Sequence, residues 1–163
     1  MTNMRRLPAR GRGRPKKLVR HRKEHPVRLA TLNVGTLSGR SRALADSLRK
    51  RGVDICCVQE TRWKGSKSRR LSDGYKLIYH RTSNRNGFGV TLNETFGNSV
   101  TSTMDSGSAI ESPTVALKVD TGEVELRVFS AYAPQVGCGE EEKAFFWEDL
   151  EQHVQAWEAK KYF

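Results

Sequence analysis

Leu29-Ala30-Thr31-Leu32-Asn33-Val34 and Asp54-Ile55-Cys56-Cys57-Val58-Gln59-Glu60 decide how this chain reads. Each is a short apolar run ending on a polar residue able to ligate a metal. Their length and their β-branched and aliphatic content fit buried strands. Asn33 and Glu60 then stand at strand ends, where a sheet presents polar groups to a cleft. Two oxygen donors at one sheet edge suit a hard cation. Magnesium fits because it binds through one or two carboxylates and fills its other positions with water and substrate phosphate. Taken singly, each is more often structural than catalytic, Glu60 as a solvated residue just past a strand and Asn33 as a turn former.

The segment between the two runs supports the pairing. Ser38 to Gly52 reads as a helix with Ser38 or Ser41 as N-cap, Arg49, Lys50 and Arg51 in the last turn, and Gly52 as the stop. Leu44 and Leu48 lie one turn apart and form its apolar stripe. Strand, helix, strand is the opening unit of an α/β domain, and the crossover returns the chain to the same sheet edge.

Downstream the pattern turns mostly antiparallel. Gly74–Tyr79 and Phe88–Asn93 read as strands on either side of a polar loop, Thr82–Gly87. Val115–Val119 and residues 123–132 read as a hairpin around Asp120-Thr121-Gly122. From about Glu140 to Lys160 a long helix is expected, with Phe146, Leu150, Val154 and Trp157 on one face and three glutamates at its positive N-terminal end.

Composition sets the outer limits. The 163 residues suffice for one domain with a real core. No apolar stretch is long enough to span a bilayer, and the N-terminus is too basic for a signal peptide, so an intracellular protein with no membrane partner is expected. Three cysteines without metal spacing argue against a disulfide framework and a zinc site. Cys56 and Cys57 are adjacent on one strand and should face opposite sides of the sheet.

The charge is concentrated at one end. Residues 1–28 hold 11 Lys and Arg against one acid, a net of +10, whereas the remainder carries 18 basic and 17 acidic residues, within a total of +11. Residues 1–26 therefore read as a basic tail, disordered until it meets a polyanion. Within it, Arg10-Gly11-Arg12-Gly13-Arg14-Pro15-Lys16-Lys17 resembles the AT-hook. That likeness implies that Arg12, Arg14, Lys16 and Lys17 bind DNA along a narrow A·T-rich minor groove, whose negative potential attracts guanidinium groups. The run serves equally well as a non-specific basic arm or a nuclear-import signal, and a nuclear location is expected.

Four motifs then occur in a telling order: Thr31-Leu32-Asn33-Val34, Val58-Gln59-Glu60-Thr61-Arg62-Trp63, Asn86-Gly87-Phe88-Gly89-Val90 and Ser130-Ala131-Tyr132-Ala133-Pro134-Gln135. In this order they resemble the endonuclease/exonuclease/phosphatase superfamily. The likeness is in particular to the apurinic-endonuclease-like nucleases of RTE-type non-LTR retrotransposons and their craniofacial development protein 2-like derivatives. It covers roughly residues 27–158, and residues 27–163 are expected to form a partial domain of that kind. The resemblance implies an α/β fold, the N-terminal portion of a two-sheet β-sandwich flanked by helices. It further implies that this sequence supplies roughly the first sheet.

For the site, the resemblance implies that Glu60 binds the catalytic Mg²⁺, with Mn²⁺ able to replace it. Asn33 helps to place metal or phosphate, and Tyr132 approaches the scissile phosphate. Gln135 stands where related nucleases often carry Asn and is the candidate phosphate contact. Gly35 replaces an acid found in several DNA-repair members, which leaves Glu60 as the one assigned carboxylate. Leu29–Val34, Ile55–Gln59 and residues 123–132 are expected to form neighbouring strands that place Asn33, Glu60 and Tyr132 around one cleft.

Relatives continue to a Gly-Asp-Leu-Asn strand and a Ser-Asp-His segment, and neither occurs here; His80 and His153, the histidines outside the tail, do not follow an Asp. The family's water-activating Asp and phosphate-stabilising His are thus absent. The expectation is the nuclease-derived domain of a Mg²⁺-dependent DNA endonuclease, truncated and inactive alone. A non-catalytic DNA-binding protein using its basic arm is the alternative.

Overall fold

The computed structural model describes residues 26–65, 67–80, 87–105 and 114–159. The AT-hook-like segment lies outside these residues, as does most of the polar loop after residue 80.

Two sheets face each other. The first has five strands, β1 (Leu29–Asn33), β2 (Ile55–Gln59), β3 (Lys67–Arg70), β4 (Lys76–His80) and β5 (Phe88–Leu92), in the order β1-β2-β5-β4-β3. The second has three, β6 (Val100–Asp105), β7 (Thr114–Asp120) and β8 (Glu125–Ala131), in sequence order. Only β1 and β2 pair in parallel, and the other described pairs are antiparallel. The α/β two-sheet architecture is thus as expected, but the chain contributes part of the second sheet as well as the first. The strand ending at Tyr132 correspondingly belongs to the second sheet and pairs with β7, so it is not a lateral neighbour of β1 and β2.

The crossover from β1 to β2 carries helix α1 (Ser41–Arg51). Neither serine caps it. Arg40 holds the N-cap position without a side-chain hydrogen bond, and its N–H donates to the Leu37 carbonyl at 3.0 Å. The C-terminus follows expectation: Gly52 takes the left-handed conformation at φ 61°, and the N–H groups of Gly52 and Val53 donate to the carbonyls of Arg49 and Leu48. Leu44 and Leu48 are buried against the outer face of the first sheet, with Leu37, Cys56, Val58, Leu77 and Tyr79. Burial of each such side chain stabilises the fold by about 1.5–3 kcal/mol.

The inner face of the same sheet makes a second core. Ile55, Phe88, Val90 and Leu92 pack against Val115, Leu117 and Val119 of β7, with Cys57 at the margin. Cys56 and Cys57 do divide between the two faces, and burial pushes both thiols up, Cys56 to about 12. Beyond β5 a short helix, α2 (Glu94–Asn98), is capped by Asn93, whose side chain accepts from the Phe96 N–H at 3.0 Å.

The expectation of a buried β1 also fails. Leu29 is 70% exposed and Leu32 43% exposed. The cause is position, since β1 is an edge strand with β2 as its one partner among the described residues. Helix α3 (Glu140–Ala159) matches the expected span. Its Phe146 is buried and Leu150 and Val154 are half-buried, while the Trp157 side chain lies outside the described residues. No helix among the described residues is long and apolar enough to cross a membrane.

Candidate active site

The chain leaves β2 under strain. Glu60 has φ 58°, the left-handed region, where a Cβ meets the following carbonyl oxygen at a cost of roughly 1–2 kcal/mol. The next residue explains how it is held there. The Thr61 N–H donates to the Gly87 carbonyl at 3.1 Å, its carbonyl accepts from the Leu37 N–H at 3.0 Å, and its side chain is fully buried. Thr61 is thereby fixed from two sides, and Glu60 takes the turn that leads to it. A glycine would adopt this turn without strain, so a glutamate here points to a task for its side chain.

Two side chains converge on that carboxylate. From the end of β1, the Asn33 Nδ2 donates to Glu60 Oε1 at 2.8 Å, while Asn33 Oδ1 accepts from the Gly35 N–H at 3.0 Å. The backbone donor fixes the amide orientation, because the opposite flip would set the NH₂ against the Gly35 N–H. From the second sheet, one residue past β8, the Tyr132 hydroxyl donates to the same Oε1 at 3.1 Å. Tyr132 is half-buried against the core between the sheets. The sandwich itself brings it there: the Phe129 carbonyl of β8 lies 4.0 Å from Cys57 Sγ of β2.

Asn33, Glu60 and Tyr132 therefore do meet in one place, across the two sheets rather than along one. Gln135 does not join them. It is exposed in the turn before α3, where its carbonyl accepts from the Cys138 N–H at 3.0 Å, and no hydrogen bond among the described residues ties its side chain to Glu60. Arg12, Arg14, Lys16 and Lys17 lie outside the described residues. Thr61 is the contributor that the sequence reading missed. A threonine after Glu60 carries no local sign that it will be buried between two loops. Nearby, Trp63 packs edge-on against Tyr79 with Arg69 4.8 Å above its ring, which makes the loop after β2 firm.

The donor set can be tested against a metal. Among the described residues no group of three or more His, Cys, Asp or Glu side chains comes together. What remains is the Glu60 carboxylate, whose Oε2 takes no hydrogen bond among the described residues, with the second lone pair of Asn33 Oδ1 and the Tyr132 hydroxyl oxygen beside it. All are hard oxygen donors. Such a set suits Mg²⁺, which needs few protein ligands, and does not suit zinc or copper, since Cys56 and Cys57 are turned into the two cores.

A family model described as the endonuclease/exonuclease/phosphatase family matches residues 30–159. The chain belongs to that family. The matched span takes in β1 with Asn33, β2 with the Glu60 turn, Tyr132 and all of α3, so the cluster lies within the family domain. Nuclease- and phosphodiesterase-type hydrolysis is the chemistry of the family, with nucleic acid as the associated substrate and divalent metals in general use. No curated protein matches the sequence.

Proposed function

We propose that this chain carries the metal-holding part of a Mg²⁺-dependent DNA endonuclease that hydrolyses phosphodiester bonds, of the apurinic-endonuclease-like type found in RTE retroelements. The observation that supports it best is the convergence of Asn33 and Tyr132, from opposite sheets, on a strained Glu60. Glu60 would hold the ion through Oε2, and Asn33 would keep the carboxylate aimed. When bound, a divalent ion polarises a phosphoryl oxygen and lowers the pKa of bound water. Tyr132 offers a hydroxyl that can leave Glu60 and donate to a phosphate oxygen.

The described residues supply no second carboxylate or imidazole hydrogen-bonded to this cluster, so no group here is placed to prepare the attacking water or to protonate the leaving oxygen. Residues 1–163 alone should accordingly not cut. The basic tail, with Arg12, Arg14, Lys16 and Lys17, favours DNA over a small phosphate ester and fits a nuclear protein. The test is nicking of supercoiled plasmid in Mg²⁺. The chain alone should stay at background. Fusion near Trp157 to the C-terminal part of a complete family nuclease should nick, and Glu60→Ala should abolish that. A fused protein that nicks equally well with and without the Glu60→Ala substitution would refute the assignment and leave the tail as the functional part.

A further inference from the structure

Away from the tail, one stretch of the domain is strongly basic. Residues 61–72 hold Arg62, Lys64, Lys67, Arg69 and Arg70 and no Asp or Glu, whereas residues 29–163 as a whole are close to neutral. The stretch is the loop after Glu60 together with the edge strand β3, all four residues of which are exposed. Among the described residues β4 is the one partner of β3.

The strand register divides these charges between two faces. Lys67 stands opposite Tyr79 and Arg69 opposite Leu77, and both partners belong to the core on the outer face of the first sheet. Lys67 and Arg69 therefore share that outer face. Arg70 turns to the other side, where it lines a small cleft with Lys76 and Glu94, and does not belong to the outer group.

Arg69 is held in place. Its guanidinium carbon lies 4.8 Å from the centre of the Trp63 ring, and Trp63 packs edge-on against the buried Tyr79 with ring centres 5.4 Å apart. An arginine stacked in this way has less freedom to lose on binding and keeps its N–H donors for a ligand. Lys64, Lys67 and Arg69 have no ion-pair partner among the described residues. The acids that bound the stretch in sequence are engaged elsewhere, Glu60 with Asn33 and Tyr132, and Asp73 with Arg49 at 3.6 Å. Guarding an edge strand needs charge alone. It does not need an arginine stacked on a tryptophan.

The spacing suits a polyanion. Same-face residues two apart on a strand stand about 7 Å from each other, so Lys67 and Arg69 can meet separate phosphates of one backbone without converging on a single anion. Lys67 lies in the row of Tyr79, Gly89 and Val58, two residues short of Glu60. Three strand spacings separate β2 from β3, about 14 Å, which a duplex covers in about four base pairs.

We propose that the outer side of β3, with Lys67 and Arg69, and Lys64 of the loop before it, is a docking surface of the domain itself for the phosphate backbone of the substrate duplex, separate from the basic tail. The proposal rests on the nuclease reading for the identity of its ligand.

The test uses the full chain in buffer without divalent metal, so that binding is read without reaction and a failed nicking experiment leaves it intact. Duplex DNA affinity is measured against salt for the parent, for Lys67→Gln, Arg69→Gln and both together, and for Lys143→Gln on α3 as a control. Each lost contact should make the log–log salt slope shallower by about 0.9, up to about 1.8 for the pair. Lys67→Arg, Arg69→Lys and Lys143→Gln should keep the slope. Acetylation of the parent, read by mass spectrometry, needs no variant: bound duplex should protect Lys64 and Lys67 and leave Lys143 reactive. Unchanged slopes in the folded Lys67 and Arg69 variants would overturn the proposal and leave β3 a guarded edge. Lys67 equally reactive with and without DNA would overturn it as well.

Discussion

The left-handed turn at Glu60 gives a prediction that separates backbone strain from lost side-chain contacts. Glu60→Ala and Glu60→Gly both remove the carboxylate and its two hydrogen bonds, to Asn33 and Tyr132. They differ only in the Cβ, which at φ 58° costs roughly 1–2 kcal/mol. Glycine gives back about 0.4–1 kcal/mol through the greater freedom of its unfolded chain. The net expectation is that Glu60→Gly is more stable than Glu60→Ala by about 0.5–1 kcal/mol. For a domain of this size that raises Tm by about 1–4 °C. Urea unfolding and thermal melts of the two variants, with equal m-values, are the assay. If Glu60→Gly is no more stable than Glu60→Ala, the residue is not held in a strained turn, and its side chain need not be retained there for a task.

Gly89 of β5 has no room for a side chain, since a Cβ would lie 2.4 Å from the Ile78 carbonyl oxygen; Gly89→Ala should cost about 3 kcal/mol or more and melt well below the parent. In the fused nuclease, Asn33→Ala and Tyr132→Phe should each lower nicking by about 10–100-fold, the usual effect of losing a group that orients a metal ligand. Restoration of Asn33→Ala activity by raised Mg²⁺ would place its role at the metal. Burial pushes the Cys56 thiol up to about 12, so at pH 8 the native thiolate fraction is about 10⁻⁴ and alkylation of Cys56 should require unfolding. Rapid native labelling of Cys56, located by mass spectrometry, would contradict its burial.

What was legible in the sequence was what local pattern determines. The β1–α1–β2 unit follows from two apolar runs around a Leu44–Leu48 stripe, and the Gly52 stop from a glycine where the helix must turn left-handed. Asn33 and Glu60 could be placed because each ends such a run. What escaped depends on distant parts of the chain. The exposure of β1 follows from sheet order, which the residues of β1 do not encode. Strand β3, Lys67-Ser68-Arg69-Arg70, has no apolar residue to alternate, and its exposed basic side chains suit an edge that must not pair with other chains. Strand β6 escaped for another reason: Thr101, Ser102 and Thr103 separate Val100 from Met104, so no apolar run marks it. Tyr132 was found through the order of motifs, but the sheet it reaches from was not, because a hairpin strand reads alike in either layer. On α3 the buried Asp149, joined to His153 at 3.5 Å, breaks the apolar stripe, while Phe145 and Trp147 are exposed.

Whether Glu60 binds the metal, as proposed, can be measured without any fusion or substrate. Mn²⁺ is titrated into residues 1–163 and the free ion is followed by its electron paramagnetic resonance signal, in parallel with Glu60→Ala and with Glu123→Ala, an exposed carboxylate remote from the site. One weak site is expected in the parent and in Glu123→Ala, displaced by excess Mg²⁺ and lost in Glu60→Ala. Equal binding by the parent and a folded Glu60→Ala protein would contradict it.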